Sequence, residues 1–353
     1  MAEMVLPGTY IEVRAEGLIS PGRVVTGNIG IVGTAEKGPV DQVQLLGSLS
    51  EAKEIFGTSS KDQFTLLRAL ELIYQNGGST VYAVRTANSQ QETPATVDDY
   101  KRSLALLENE TVNIVLLAGQ DVKTSEMLTA LQGHLNTTAQ IKRERIGIIG
   151  SGFDKDGNDN LDEIAKHTIN SDRLIFTAPG IIINGKRFSG GYLAAAVAGL
   201  IASLPVQASP TNKTLTLEAL TTKFNSSQLE KLVSNRVLAV EERNGFRVVK
   251  GITTDDTAWR QITTRRIVDY AIYGVRASCD PYIGKLNNDR VRGAMKATLD
   301  AFLTRMVENE ALVKYTLTVS ATRDQEKAGE AVVTMTLMPT FSIDFIQVTM
   351  YLS

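Results

Sequence analysis

Two hydrophobic periods take turns along this chain. The run Ile29-Gly30-Ile31-Val32-Gly33 is apolar without interruption and is closed by the turn Glu36-Lys37-Gly38-Pro39, which predicts a strand buried on both faces. Helical spacing follows. One helix is expected from Ser50, with Glu51 and Glu54 in the first turn where carboxylates suit the dipole. A second, over 63–75, sets Phe64, Leu67, Leu70 and Tyr74 on one face and ends at Asn76-Gly77-Gly78. Strand-like runs at 80–85, 113–117, 145–149 and 174–177 then alternate with helical stretches near 97–108, 124–137 and 160–169. Such alternation predicts an α/β layered domain with a mostly parallel sheet. Asn184-Gly185 marks a hairpin within 180–188, and the Ala- and Gly-rich stretch 190–204 that follows reads as a buried helix, too short to span a bilayer comfortably.

The pattern changes near Asp255. Two long helices, roughly 257–279 and 288–310, flank Asp280-Pro281 and Gly284, and three alternating strands complete the chain. In the first strand Val313, Tyr315, Leu317 and Val319 share a face; in the second, Val333, Met335 and Leu337 do. This predicts a C-terminal α+β domain over 255–353, beside an α/β domain over 26–254. Residues 1–25 read as an arm and linker.

Both ends of the sequence read as strands. The first comprises Thr9, Tyr10, Ile11, Glu12 and Val13, followed by a linker punctuated by Gly17, Pro21 and Gly22 that would serve as a hinge. The last covers Phe345, Ile346, Gln347, Val348, Thr349, Met350, Tyr351 and Leu352 and contains a phase break: Phe341, Ile343 and Phe345 occupy one parity, Ile346, Val348, Met350 and Leu352 the other. A one-residue shift turns every side chain to the opposite face. Either the strand bulges within its own domain, or its two halves pair with different neighbours. A strand without a hairpin partner can be lent to another copy of the protein.

Charge and chemistry narrow the function. Thirty-seven Lys and Arg oppose 39 Asp and Glu, so no polyanionic partner such as nucleic acid is indicated. A single cysteine, Cys279, excludes an intrachain disulfide and a cysteine zinc cluster. No signal-peptide pattern precedes the first strand, which predicts cytoplasmic assembly without membrane insertion. Gly147-Ile148-Ile149-Gly150-Ser151-Gly152 follows a strand but lacks the third glycine of a dinucleotide loop, since position 155 is Lys. Asp154, Asp156 and Asn158 have calcium-loop spacing, yet the glycine falls at 157 and position 165 is Ala, so a polar turn capping the next helix is expected. His134 and His167, in polar helical surroundings, read as solvated. No cofactor and no catalytic residue is predicted.

Several segments together resemble the tail sheath proteins of contractile phages, R-type bacteriocins and related injection systems. Pro7-Gly8-Thr9-Tyr10-Ile11-Glu12 is similar to that family's opening motif, and the stretch from Gly30 to Pro39 to its first core strand and turn. Phe56-Gly57, then Asn76-Gly77-Gly78 leading into Val81–Arg85, is similar to the next helix–strand unit. Val197–Ala202 with Ser209-Pro210-Thr211-Asn212 resembles its Ala-Gly helix and following loop, with Thr where Ala is usual. Phe246–Thr254 and Asp280–Asn288 resemble its central strand and the connection between its last helices.

The resemblance implies a structural subunit that polymerises around an inner tube through exchanged terminal strands, with 85–174, which matches none of the family's motifs, as an outer, variable part. It would contract from a metastable state and meet baseplate and tail-terminator proteins. Tube contact would fall to the C-terminal domain. There Arg290, Arg292 and Lys296 crowd the first turns of a helix, where positive charge opposes the dipole. Either an acidic tube surface or local partners such as Asp289 and Asp300 would compensate them. The competing reading is a soluble α/β enzyme of nucleotide or small-molecule metabolism whose ends close its own sheets.

Overall fold

The computed structural model describes residues 25–58, 63–86, 95–344 and 346–350. In chain order the elements begin β1 (Ile29–Gly33), β2 (Val43–Leu46), α1 (Leu49–Phe56), α2 (Leu66–Gln75), β3 (Val81–Arg85), α3 (Val97–Leu106), β4 (Ile114–Asp121) and α4 (Ser125–Gln140). There follow β5 (Ile146–Gly150), α5 (Leu161–Ala165), β6 (Leu174–Ala178), β7 (Ile181–Ile183), β8 (Lys186–Phe188), α6 (Gly190–Ser203), β9 (Thr214–Leu215), β10 (Ala219–Leu220) and α7 (Ser226–Ser234). The remainder is β11 (Leu238–Glu242), β12 (Phe246–Val248), α8 (Ile262–Cys279), α9 (Asp289–Glu308), β13 (Leu312–Ser320), α10 (Arg323–Ala328) and β14 (Val332–Pro339). Two compact units result: Val25–Asp269 with the segment from Phe341, and Tyr270–Thr340.

The first unit is a three-layer α/β/α sandwich on a nine-stranded sheet of order β2-β3-β1-β4-β5-β6-β11-β12-β9. Strands β3 through β11 run parallel, and antiparallel strands close both edges. Parity decides the layers. Ile29 and Ile31 of β1 pack with α1, α2 and α6, whereas Val32 faces the cluster formed with α3, α4, α5 and α7. Both faces are covered, which is why the central strands show no polar alternation. Helix α6 is buried from Gly190 through Ile201, which explains its lack of a polar face. Its first turn lies directly on β5: a Cβ on Gly150 would stand 1.8 Å from the Gly190 carbonyl carbon. The glycines that resemble a phosphate loop serve this close crossing.

Residues 85–174 contribute β4 and β5 to the centre of the sheet. Several element boundaries are corrected by tertiary contacts. Helix α2 starts at Leu66, because Gln63 and Thr65 are engaged by Thr34 at the end of β1 (Thr34 Oγ1 to Gln63 O, 2.6 Å; Thr65 N to Thr34 Oγ1, 3.1 Å). Helix α1 starts at Leu49 under a Ser48 cap. Helix α5 is only five residues long, capped by Asn160. Edge strand β2 and helix α7 were not anticipated. The 180–188 hairpin forms as β7 and β8, with Asn184 and Gly185 at φ of 51° and 72°, the left-handed pair its turn requires.

The histidines are not solvated. His134 is buried on α4 beside the Arg145 guanidinium (3.1 Å), and burial together with that cation lowers its pKa to about 3. Arg145, also buried, donates to the carbonyls of Leu107, Glu108 and Glu110 at the end of α3. His167 accepts from Ile169 N at Nδ1 (3.2 Å), so its Nε2–H donates to Asn235 O (2.6 Å) and the ring is neutral.

The second unit packs α9 against the end of α8 and against the antiparallel pair β13–β14. Tyr270 and Phe302 meet at 5.6 Å between ring centres, and Leu299, Phe302, Leu303 and Met306 fill the core with Leu312 and Leu317. Tyr315 OH ties β13 to α9 by donating to Asp300 (3.2 Å).

Gly150→Ala should destabilise the first unit by about 3 kcal/mol or more, since backbone faces the new methyl group. Gly133→Ala, with open space at its Cβ on α4, should stabilise by about 0.5–1 kcal/mol; urea unfolding reads both. Because the His134 pKa is lowered on folding, its neutral form contributes fully above pH ~6.5 and that contribution is lost as pH falls toward 3. The wild type should lose about 2 kcal/mol from this group by pH 5, and His134→Gln should show a smaller fall in urea midpoint between pH 7.5 and 5.

Candidate assembly interface

Ligands of open parallel sheets bind where strand order reverses, here between the C-terminal ends of β1 and β4. Side chains fill that place. A Cβ on Gly33 would stand 2.6 Å from Ala118 Cβ, and one on Gly119 would stand 2.8 Å from the Tyr192 ring. Nearby, Gln120 Nε2 donates to Tyr100 OH (3.0 Å), whose pKa burial raises to about 12. The Asp154 carboxylate accepts from the backbone of Asp156 and Asn158 (both 2.9 Å), forming the polar turn ahead of α5. Among the described residues no group of three or more His, Cys, Asp or Glu could hold a metal.

The surfaces with unused bonding capacity lie elsewhere. The β13–β14 ribbon is the whole of its sheet among the described residues, so both outer edges present unpaired backbone groups. One face rests on α9. The other exposes Val332 and Met338, and Val313 is exposed at the bulge between Leu312 and Lys314. A two-stranded ribbon is marginal alone and gains from any added strand.

The described residues after Thr340 form no strand, so the expected third strand is not formed among them. Ser342 and Asp344 face the first unit. Ser342 N donates to Gln261 Oε1 (3.3 Å), and Asp344 forms an ion pair with Lys250 (3.1 Å) and accepts from Gln261 Nε2 (3.4 Å). The apolar residues point outward: Phe341 is 61% and Ile343 79% exposed, and Ile346, Val348 and Met350 are 82%, 72% and 83% exposed. This inverts the usual arrangement of a segment lying on its own domain. The Gln261–Lys250–Asp344 seat was missed by sequence reasoning, because its members stand far apart in the chain and no local pattern links them. Thr9, Tyr10, Ile11, Glu12, Val13, Gly17, Pro21, Gly22, Phe345, Tyr351 and Leu352 lie outside the described residues.

The α9 cations do not form an uncompensated cluster. Arg292 is buried, bonded to Asp289, Glu326 (3.0 Å) and Asn287 (2.8 Å), and so fastens α10 to α9. Hydrogen bonds from Arg323 and Arg292 hold the Glu326 carboxyl below the usual carboxylate range. Lys296 pairs with Asp300 (3.0 Å) one turn on. Local partners answer the dipole argument at both positions.

The described residues thus form an α/β unit and a smaller α+β unit whose ribbon has two open edges. Residues 93–254 match the phage tail sheath protein central domain and residues 254–353 the phage tail sheath C-terminal domain. The chain belongs to the phage tail sheath family, which is structural and not enzymatic. The tail sheath protein of Bacillus phage SP01 is 25% identical over 240 residues, 63% of this chain. The chain spans 40% of the length of that curated relative. The helical sheath of the anti-feeding prophage, in its contracted state, superposes with a TM-score of 0.73 at 18% identity over 99% of both chains. The sheath complex of the extracellular contractile injection system PVC, also contracted, gives 0.74 at 15% identity, covering 99% of this chain and 98% of that one. At these identities the structures share the fold.

Arg292→Ala should free α10 from α9. Amide exchange across 323–328 should accelerate while α9 retains its protection; unchanged exchange in α10 would remove Arg292 from this role.

Proposed function

We propose that the chain is a contractile sheath subunit that polymerises helically around an inner tube, its copies linked by exchanged β-strands. The observations that carry this reading are the exposure of Phe341, Ile343 and every described residue over 346–350, and a β13–β14 ribbon whose two edges are open among the described residues. Lending the segment from Phe345 to a neighbouring ribbon would bury Ile346, Val348 and Met350 and satisfy backbone groups on both partners. Thr9 to Val13 would supply a second lent strand, with Gly17, Pro21 and Gly22 as its hinge.

Strand exchange suits a lattice that must change shape. Backbone pairing through the linking segments can persist while the compact units rotate and exchange rigid-body contacts. The extended lattice is then metastable, and its contraction releases interface energy behind a kinetic barrier. Heterologous contacts that do not close generate the helical geometry. Baseplate and tail-terminator proteins would cap the two ends. Tube contact belongs to the C-terminal unit, where Arg290 and Lys296 lie on exposed turns of α9 and Arg292 acts by holding α10. Assembly would occur in the cytoplasm, with the product a component of a phage tail or related particle. Among the described residues no helix is long and apolar enough to cross a membrane.

Purified full-length protein should form ridged hollow cylinders by negative-stain microscopy. Truncation after Asp344, or removal of residues 1–13, should abolish them while changing monomer stability by less than about 0.5 kcal/mol. Cylinders formed normally by both truncated chains would overturn strand exchange.

A further inference from the structure

The two segments assigned as lent strands must be fastened where they leave the first unit, or tension would peel them away. Both fastenings converge on one place. Residues 25–28 run over the end of α6, where a Cβ on Gly27 would stand 2.5 Å from the Ala202 carbonyl oxygen. Asn113 holds this stretch from one side, donating to Val25 O and accepting from Asn28 N (both 3.0 Å). From the other side, the buried Arg266 donates to Thr26 O (3.2 Å), Leu204 O (2.9 Å) and Pro205 O (3.2 Å). Two of these carbonyls belong to Leu204 and Pro205, which follow the last turn of α6. Burial lowers the Arg266 pKa to about 10, so the guanidinium stays charged at neutral pH.

Gln261, five residues earlier, holds Ser342 and Asp344 as described above. Its backbone forms an antiparallel bridge with Ile252, and Ile262 N donates to Gly251 O (3.3 Å). Lys250 and Gln261 are thereby set side by side as one seat for Asp344. Ile252 and Ile262 are fully or almost fully buried, so the seat rests on the core.

We propose that the start of α8, residues Gln261–Arg266, is a shared anchor that fastens the roots of both terminal segments and passes tension from one to the other. Five residues of helix span only about 7–8 Å. Force entering at Thr26 reaches Asp344 through Arg266, one helical turn and Gln261, bypassing the parallel sheet. The mechanical role rests on the strand-exchange reading above; the fastening itself does not. A demonstrated coupling through this element requires that force or exchange at one root respond to residues of the anchor.

The test uses the full chain as a monomer. Hydrogen exchange should show Gln261→Ala accelerating the Ser342 amide, and Arg266→Lys the Asn28 amide, each about tenfold or more, with β4 and β5 unchanged. When the chain is pulled by its two ends in optical tweezers, the first rupture should fall to lower force in either variant. Equal first-rupture force and length in the wild type and Gln261→Ala, with unaltered exchange at Ser342, would overturn the proposal. Gln261→Ala removes only a half-buried side chain and keeps the test decisive if Arg266→Lys does not fold. Cylinder formation is scored separately. A wild type that makes none but whose variants rupture early would sink strand exchange and leave the anchor standing.

Discussion

The contact on which the first unit depends is the crossing of β5 and α6 at Gly150 and Gly190. Backbone meets backbone there, with no room for a side chain on either partner. The approach brings α6 down onto the sheet along its full length, so that an entirely apolar helix can be buried between α2 and the parallel strands. It also accounts for the glycines at the end of β5, whose spacing does not fit a dinucleotide loop. A glycine-rich strand end can open space for a phosphate or admit a neighbouring helix, and here the helix occupies the space.

With its interior closed in this way, the protein keeps its bonding capacity at the margins. Among the described residues the β13–β14 ribbon exposes two edges, Phe341 and Ile343 turn outward while Ser342 and Asp344 turn in, and every residue over 346–350 is exposed. Each is a liability for an isolated monomer and an asset for a repeating lattice. Buried or half-buried polar groups mark the boundary between what is fixed and what is free. Arg266 binds the root at Thr26, and Lys250 with Gln261 binds the root at Asp344. A further ionic group, Arg173 and Arg265 with Asp172 and Asp269, lies at the start of α8 in the same unit. Buried ions are tolerated only when paired and hydrogen-bonded, and these are.

How legible each part was depended on range. Ile29–Gly33, Val81–Arg85 and the Asn184-Gly185 hairpin could be read directly, because a continuous apolar run or a two-residue turn is a local signal. Edge strand β2 was missed; its four residues are only partly apolar and partly buried, and they pair because β3 lies beside them. His134 reads as a surface residue from its neighbours, and only Arg145, eleven positions on, makes it a buried one. Arg292 reads as an unfavourable charge at a helix start. Glu326, from a separate helix, makes it a tie.

The sequence by itself indicated a mixed α/β fold, the alternation of strands and helices through the first unit and the two long helices after Asp255. These follow from periodicity, turn chemistry and composition, which act within a few residues. The tertiary structure alone decided that 85–174 belongs to the centre of the sheet, that the α9 cations are answered locally, and that the terminal roots are fastened by Gln261 and Arg266. Each joins groups tens to hundreds of positions apart. Such pairings follow from which surfaces the folded layers bring together, and no local pattern encodes them.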